Sequence, residues 1–164
     1  MLSTITLENA GTCFVCHETV DIDHALHHLK ICGVTPVALK TEQVFIIKVS
    51  SCNEFWMFVE AAGGTTLKSL YLFLRSNWFE CCGHMSQFFV DGASAEADYM
   101  DKTLNEMLSF GKTFHYAHSG SLPARVVGEV VAVKSSLKTK DMSLLLRKII
   151  PEERCNTCIE TTKQ

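Results

Sequence analysis

The sequence predicts one α+β domain that carries a small, separable element at its N-terminal end. Its 164 residues suffice for about one domain. Apolar residues make up 47% and charged residues 20% of the chain, which is the balance of a folded globular protein and excludes a disordered one. Runs of β-branched and aromatic residues alternate with helical patterns, so both strands and helices are expected.

The N-terminal element is dominated by cysteine and histidine. The stretch "TCFVCHETVDIDHALHHLKIC" holds three cysteines and four histidines. A helix is expected after Asp21 or Asp23, either of which can cap it. This helix would carry His24, His28 and Cys32 at successive i, i+4 positions and so on one face.

Cys13 and Cys16 precede the helix at the Cys-x-x-Cys spacing, which lets a tight knuckle turn two thiolates towards one ion. The spacing of this pair to His28 and Cys32 is close to that of a short zinc finger with three cysteines and one histidine. The predicted metal ligands are therefore Cys13, Cys16, His28 and Cys32, and the predicted ion is Zn²⁺. His27 is an alternative to His28. Four protein ligands leave no position open for water, so the site should be structural and not catalytic.

Gly33 and Pro36 interrupt any helix that continues past the last of these ligands. We therefore divide the chain into a zinc-finger-like element at residues 1–36, an α+β domain at residues 37–151, and a polar tail at residues 152–164. Pro151 marks the end of the second part.

The α+β domain begins with "EQVFIIKV" and "EFWMFVE", two strand-like runs joined by a polar turn and read as a hairpin. A helix capped by Thr65 or Thr66 follows, because apolar residues then recur at helical spacing. "HMSQFFVDG" predicts a strand, and "TLNEML" a short helix in which Thr103 and Glu106 have the spacing of a capping box. "KTFHYAH", "ARVVGEVVAV" and "SLLLRKII" predict further strands.

The tail contains a second Cys-x-x-Cys pair, Cys155 and Cys158. Two thiolates are half a metal site, so the pair needs partners. The sequence offers three: the first Cys-x-x-Cys pair, the group Cys81, Cys82 and His84, or another chain. A reduced pair that binds nothing is an equal alternative.

The segment "WFECCGHMSQF" places Cys81 and Cys82 near His84. A catalytic cysteine also needs a lowered pKa, an oxyanion hole and a third orienting group, and the sequence indicates none of these. The zinc-deaminase signature, His-Glu-x-x-His, phosphate-binding glycine motifs and Gly-x-Ser-x-Gly are absent as well. We predict no catalytic residue.

The charge of the chain indicates which classes of partner it can bind. A net charge of −3 and a pI near 6.1 argue against a broad nucleic-acid-binding surface. The basic residues that could form an arm lie between Lys134 and Lys148, and they are expected to occupy a solvated turn and strand edge. No apolar run reaches membrane-spanning length and no signal sequence is recognised, so the protein is expected to be cytoplasmic.

Three segments of the domain follow a known pattern. Thr66 to Leu70 matches Thr-Leu-x-x-Leu, Trp78 to His84 matches Trp-x-x-Cys-x-Gly-His, and Phe114, Tyr116 and Gly120 follow an aromatic strand motif. Residues 42–150 thereby resemble the Ri-plasmid ORF-three-like family, some of whose members carry the label insertion-element passenger protein. "AHSG" stands here where many members have Tyr-Asp-Phe-Gly.

The resemblance implies a curved, mostly antiparallel sheet packed against helices, often flanked by Cys-x-x-Cys elements, and it implies no enzymatic activity. Our leading hypothesis is a non-catalytic, zinc-stabilised protein that binds another protein. The alternative is a nucleic-acid-binding or mobile-element accessory protein. A thiol- or metal-dependent enzyme that uses Cys81, Cys82 and His84, with His115 or His118, is the least favoured reading.

Overall fold

The computed structural model describes residues 9–32, 42–51, 55–78, 86–90, 93–94, 97–118, 126–136 and 141–148. These residues form strands and short helices in the order β1 (Ala10–Cys13), β2 (Thr19–Asp21), α1 (Ile22–Cys32), β3 (Glu42–Ser51), β4 (Phe55–Ala62), α2 (Leu67–Trp78), β5 (Ser86–Val90), β6 (Ala93–Ser94), α3 (Ala97–Met100), α4 (Leu104–Met107), β7 (Thr113–His118), β8 (Val126–Ser136) and β9 (Met142–Arg147). None of the helices in these ranges is long and apolar enough to cross a membrane.

The described strands form one sheet in the order β2-β1-β9-β4-β3-β8-β7-β5-β6, and every neighbouring pair is antiparallel. The predicted α+β class is confirmed. The pairing register shifts at Ile46/Ile47 of β3 and at Phe58/Val59 of β4. Such irregularities bend a strand and increase its twist.

The two central strands β3 and β4 bury side chains on both faces of the sheet. Alternate residues point to opposite faces, so Phe45 and Ile47 enter one apolar cluster while Ile46, between them, enters another. The first cluster also contains leucines of α2 and α4, whereas the second contains Ala25 and Leu29 of α1. Helices therefore cover both faces, which explains the nearly unbroken apolar run in β3.

The helix caps agree with the sequence. Ser69 donates its backbone N–H to the Thr66 hydroxyl (3.2 Å), so Thr66 caps α2. Thr103 donates its hydroxyl and its backbone N–H to the Glu106 carboxylate, at 2.7 and 2.8 Å. These bonds lower the pKa of Glu106 and confirm the predicted capping box.

The N-terminal element joins the sheet through the last strand. Thr12 and Cys13 of β1 pair with Arg147 and Leu146 of β9, and β9 in turn pairs with β4. Gly11 lets this contact form, because a Cβ there would overlap the Trp56 ring and the Arg147 backbone. The boundary predicted near Pro36 and the tail beginning at Glu152 lie outside the described residues.

Gly128 of β8 is covered by an aromatic ring. It stands opposite Phe114 of β7, and a Cβ at Gly128 would overlap that ring. Phe114 is fully buried and stacks on Phe88 with ring centroids 4.8 Å apart. The ring therefore has no room to move aside.

Gly128→Ala should lower the free energy of unfolding by about 2 kcal/mol, because the methyl group overpacks the core. Urea denaturation measures the change. Gly64→Ala is the matched control, since its Cβ would meet only the end of the flexible Glu42 side chain, at 3.0 Å. Equal midpoints for the two variants would show that Phe114 yields at no cost.

Candidate metal centre

A tight turn between β1 and β2 presents the first two sulfur atoms. Cys13 donates its N–H to the Glu18 carbonyl, and His17 donates its N–H to the Cys13 carbonyl, each at 2.9 Å. The Val15 N–H points at the Cys13 sulfur, 3.4 Å away. His17 has a positive φ of 65°, a conformation that is uncommon for residues other than glycine, and it redirects the chain into β2.

Helix α1 supplies the other two donors. It begins at Ile22 after Asp21, whose carboxylate accepts the Asp23 N–H at 2.9 Å. Of the two predicted caps, Asp21 is therefore the one used. His28 and Cys32 lie one helical turn apart, on the face of α1 that is turned towards the β1–β2 turn. Ala25 and Leu29 of the same helix are buried against the sheet and hold α1 in place.

The donor atoms of Cys13, Cys16, His28 and Cys32 all lie within 4.8 Å of one another, and they could hold a metal ion. These are the four residues that the spacing predicts. The sulfurs of Cys13 and Cys32 are 3.9 Å apart, and the Cys16 sulfur is 3.4 Å from Nε2 of His28. A tetrahedron with metal–sulfur bonds of about 2.3 Å and metal–nitrogen bonds of about 2.05 Å has edges of about 3.8 and 3.6 Å. The two measured edges are close to these values.

The thiols of this cluster differ in acidity. Burial raises the pKa of Cys13, but the N–H groups of Cys16 and Val15 and the side chains of His28 and Cys16 outweigh it and lower the pKa to about 7. Burial raises the pKa of Cys32, and the neighbouring Cys16 and Cys13 raise it further, to about 12. Three crowded sulfurs therefore cannot all ionise at neutral pH unless a cation replaces their protons.

Glu18 extends the cluster outward. One of its carboxylate oxygens lies 3.7 Å from Nδ1 of His28 and 3.8 Å from the Cys16 sulfur. A carboxylate repels a thiolate, so its favourable partner beside a metal-bound cluster is the Nδ1–H of His28. At 3.7 Å the two atoms are in electrostatic contact and not in a hydrogen bond. A carboxylate at this position would favour the ring orientation that turns Nε2 towards a bound ion. In the sequence, Glu18 stands out only as one of several acids of the finger.

The cluster is tied to the sheet by apolar packing. Cys13 is fully buried and shares an apolar cluster with Trp56 and Leu146. The Arg147 guanidinium lies 5.6 Å from the centre of the Phe14 ring, and it donates to the Asn77 carbonyl at 3.3 Å. These contacts pack one side of the β1–β2 turn against the strands that form the core.

The remaining candidate ligands divide into two groups. His27, the alternative to His28, is exposed and is not among the four donors that meet. His17 and His24 are also exposed. The other candidates lie outside the described residues: Cys81, Cys82, His84, Cys155 and Cys158. Their role as a second site stays a prediction.

Two described side chains of the basic segment, those of Lys134 and Arg147, contact neighbouring residues. Lys134 forms an ion pair of 2.6 Å with Glu60, so its charge is balanced. Arg147 is held by Phe14 and Asn77, as described above. His115, considered for an enzyme, is a half-buried residue of β7. Lys138, Lys140 and the His118 side chain are not among the described parts.

Among solved structures, the fold is similar to that of a protein of unknown function, MM3350 from Methanosarcina mazei Go1. The TM-score is 0.54 at 14% sequence identity, and the match covers 76% of this chain and 81% of that chain. At this identity the likeness shows a shared fold and no function. No family model and no curated protein matches the chain.

The affinity for Zn²⁺ should rise with pH. Cys32, with a pKa of about 12, is protonated below that pH, so a bound ion must displace its proton. The association constant should therefore increase about tenfold or more per pH unit between pH 6 and 8. Competition with a chromophoric chelator, corrected for the chelator's own protonation, measures this slope. A pH-independent affinity would contradict the assignment of Cys32.

Glu18→Ala should weaken Zn²⁺ binding about tenfold, because the His28 ring loses its orienting partner. Glu18→Gln keeps an oxygen acceptor and should lose less. Asp23→Ala, which removes an exposed acid from the same element, controls for net charge. The same chelator competition applies to all three variants, and equal losses for Glu18→Ala and Asp23→Ala would leave only a general charge effect.

Proposed function

We propose that the four donors bind one Zn²⁺ ion and that the protein is a non-catalytic, zinc-stabilised binding protein whose partner is another protein. The observation that carries this proposal is the convergence of three cysteine sulfurs and one imidazole nitrogen within 4.8 Å. Soft sulfur donors with one imidazole suit zinc, whereas magnesium and calcium prefer oxygen ligands.

A structural role follows from the ligand count. Four protein donors complete a tetrahedral shell, so no site is left for a water molecule or a substrate. The ion would join α1 to the β1–β2 turn, in which residues 14–18 are all exposed. Small elements of this kind commonly depend on a metal for their stability.

Binding is proposed over catalysis because a complete ligand set of four protein donors leaves no position at this site for a substrate. The paired Lys134 gives the nucleic-acid alternative no support within the described residues. Membership in the Ri-plasmid ORF-three-like family remains part of the proposal, carried by the motifs at residues 66–70, 78–84 and 114–120. The MM3350 likeness supports a fold and brings no activity with it.

Elemental analysis of the purified protein tests the metal. We expect one zinc per chain in the wild type and in the Cys155→Ser, Cys158→Ser double variant, because the four proposed ligands suffice. Cys32→Ser should lose zinc or bind it much more weakly. Zinc lost from the tail variant instead would mean that Cys155 and Cys158 help to hold the ion, and the proposed ligand set would be wrong.

Removal of zinc by a chelator should destabilise residues 9–32 more than the centre of the sheet. Hydrogen exchange followed by mass spectrometry should rise in residues 9–32 after zinc removal, since the ion no longer joins the knuckle to α1. β3, which pairs on both sides with β4 and β8, is the internal control and should keep its protection. Unchanged exchange in both regions would contradict a stabilising metal.

A further inference from the structure

We infer that the protein binds an extended, basic, apolar-bearing segment of another protein in a groove between β2 and α1. This inference rests on the proposed function, because the ion would hold the two walls of the groove together. It goes further by placing the binding surface and by assigning the chemistry of the partner.

The first wall is the free edge of a strand. β2 ends the sheet order, and among the described residues it pairs only with β1. A cavity of about 610 Å³ touches its three residues, Thr19, Val20 and Asp21. Successive side chains of a strand point to opposite faces. A cavity that reaches all three therefore runs along the edge of β2, where backbone hydrogen-bonding groups are available.

The second wall is one face of α1. His24, His27, His28 and Ile31 line the cavity at positions i, i+3, i+4 and i+7. Ile31 is 65% exposed, so the helix wall offers an aliphatic side chain to a bound segment. An unpaired strand edge facing a helix with an exposed apolar side chain is the arrangement in which proteins add an extended peptide as a further strand.

The charge of the groove selects a basic partner. Glu18 and Asp21 line the cavity, and no lysine or arginine does so among the described residues. A zinc ion held by three thiolates adds a net negative charge beside them. An extended segment with apolar and basic residues fits, because its apolar side chains can meet Ile31 and its basic side chains the carboxylates of Glu18 and Asp21.

The candidate metal site and the groove share residues. Cys16 lies three residues before the first residue of the strand wall, while His28 and Cys32 lie on the helix wall, and all three also line the cavity. A bound zinc ion would therefore join the two walls at the end of the groove where these ligands lie. Binding of the partner should accordingly require the metal-loaded protein.

The probe is a fluorescein-labelled peptide of alternating lysine and valine, compared with one of alternating glutamate and valine. Fluorescence anisotropy with the full-length, zinc-loaded protein should show binding of the lysine peptide alone. Proline in place of its central valine should weaken binding about tenfold, because a strand hydrogen bond is lost. Equal binding of both peptides, or no binding by protein that holds its zinc, would overturn the inference.

Three variants locate the contact. Ile31→Ser should weaken binding about tenfold by removing the apolar contact. Asp21→Asn should weaken it about threefold while keeping the helix cap, since asparagine caps as well as aspartate. Leu72→Ser is the matched control, as Leu72 is an exposed aliphatic residue of another helix. Unchanged affinity of Ile31→Ser would place the peptide elsewhere and overturn the inference.

Two further readouts separate the remaining outcomes. Zinc content is measured for every sample, so protein that never holds zinc refutes the proposed function, whereas zinc-loaded protein without peptide binding refutes only the groove. Hydrogen exchange at residues 19–21 is measured without peptide. Pairing with β1 already protects some of these amides, so the readout is a change in protection. Protection that rises with protein concentration would mean that a second copy occupies the edge, and it would overturn a separate partner.

Discussion

Cys13 belongs both to the sheet and to the candidate metal site, and the arrangement of residues 9–32 depends on this connection. Its backbone belongs to β1 and pairs with β9, its side chain is fully buried beside Trp56 and Leu146, and its sulfur is one of four converging donors. A hydrophobic cluster therefore fixes one corner of the candidate metal site to the sheet. The sulfurs of Cys16 and Cys32 and the imidazole of His28 lie within 4.8 Å of this buried corner.

Packing and electrostatics have different roles in residues 9–32. Packing orients α1, since Ala25 and Leu29 are buried against the sheet. Packing does not neutralise the charge of three neighbouring thiolates. The surroundings of these sulfurs lower the pKa of Cys13 to about 7 and raise the pKa of Cys32 to about 12. A divalent cation removes that conflict by replacing the protons. Its effect is largest where apolar burial is smallest, between the exposed turn and the helix.

Local patterns made much of the site and the fold predictable. Cys-x-x-Cys spacing and the i, i+4 positions of His28 and Cys32 act over a few residues, as do the Thr66 cap and the Thr103–Glu106 box. The position of β9 between β1 and β4 was not predictable, because residues 12 and 147 are remote in sequence and apolar strands do not specify their partners. The approach of Glu18 to His28 also depends on how the hairpin folds over the helix, which no spacing reveals.

The place of β9 in the sheet has a consequence for biosynthesis. All four donors lie within residues 13–32, so they leave the ribosome early and close to one another. The strand that fastens them to the sheet, Met142–Arg147, is among the last described parts to be made. Until β9 has been synthesised, the four donors lack its support, and an ion bound to them would shield the thiols from oxidation.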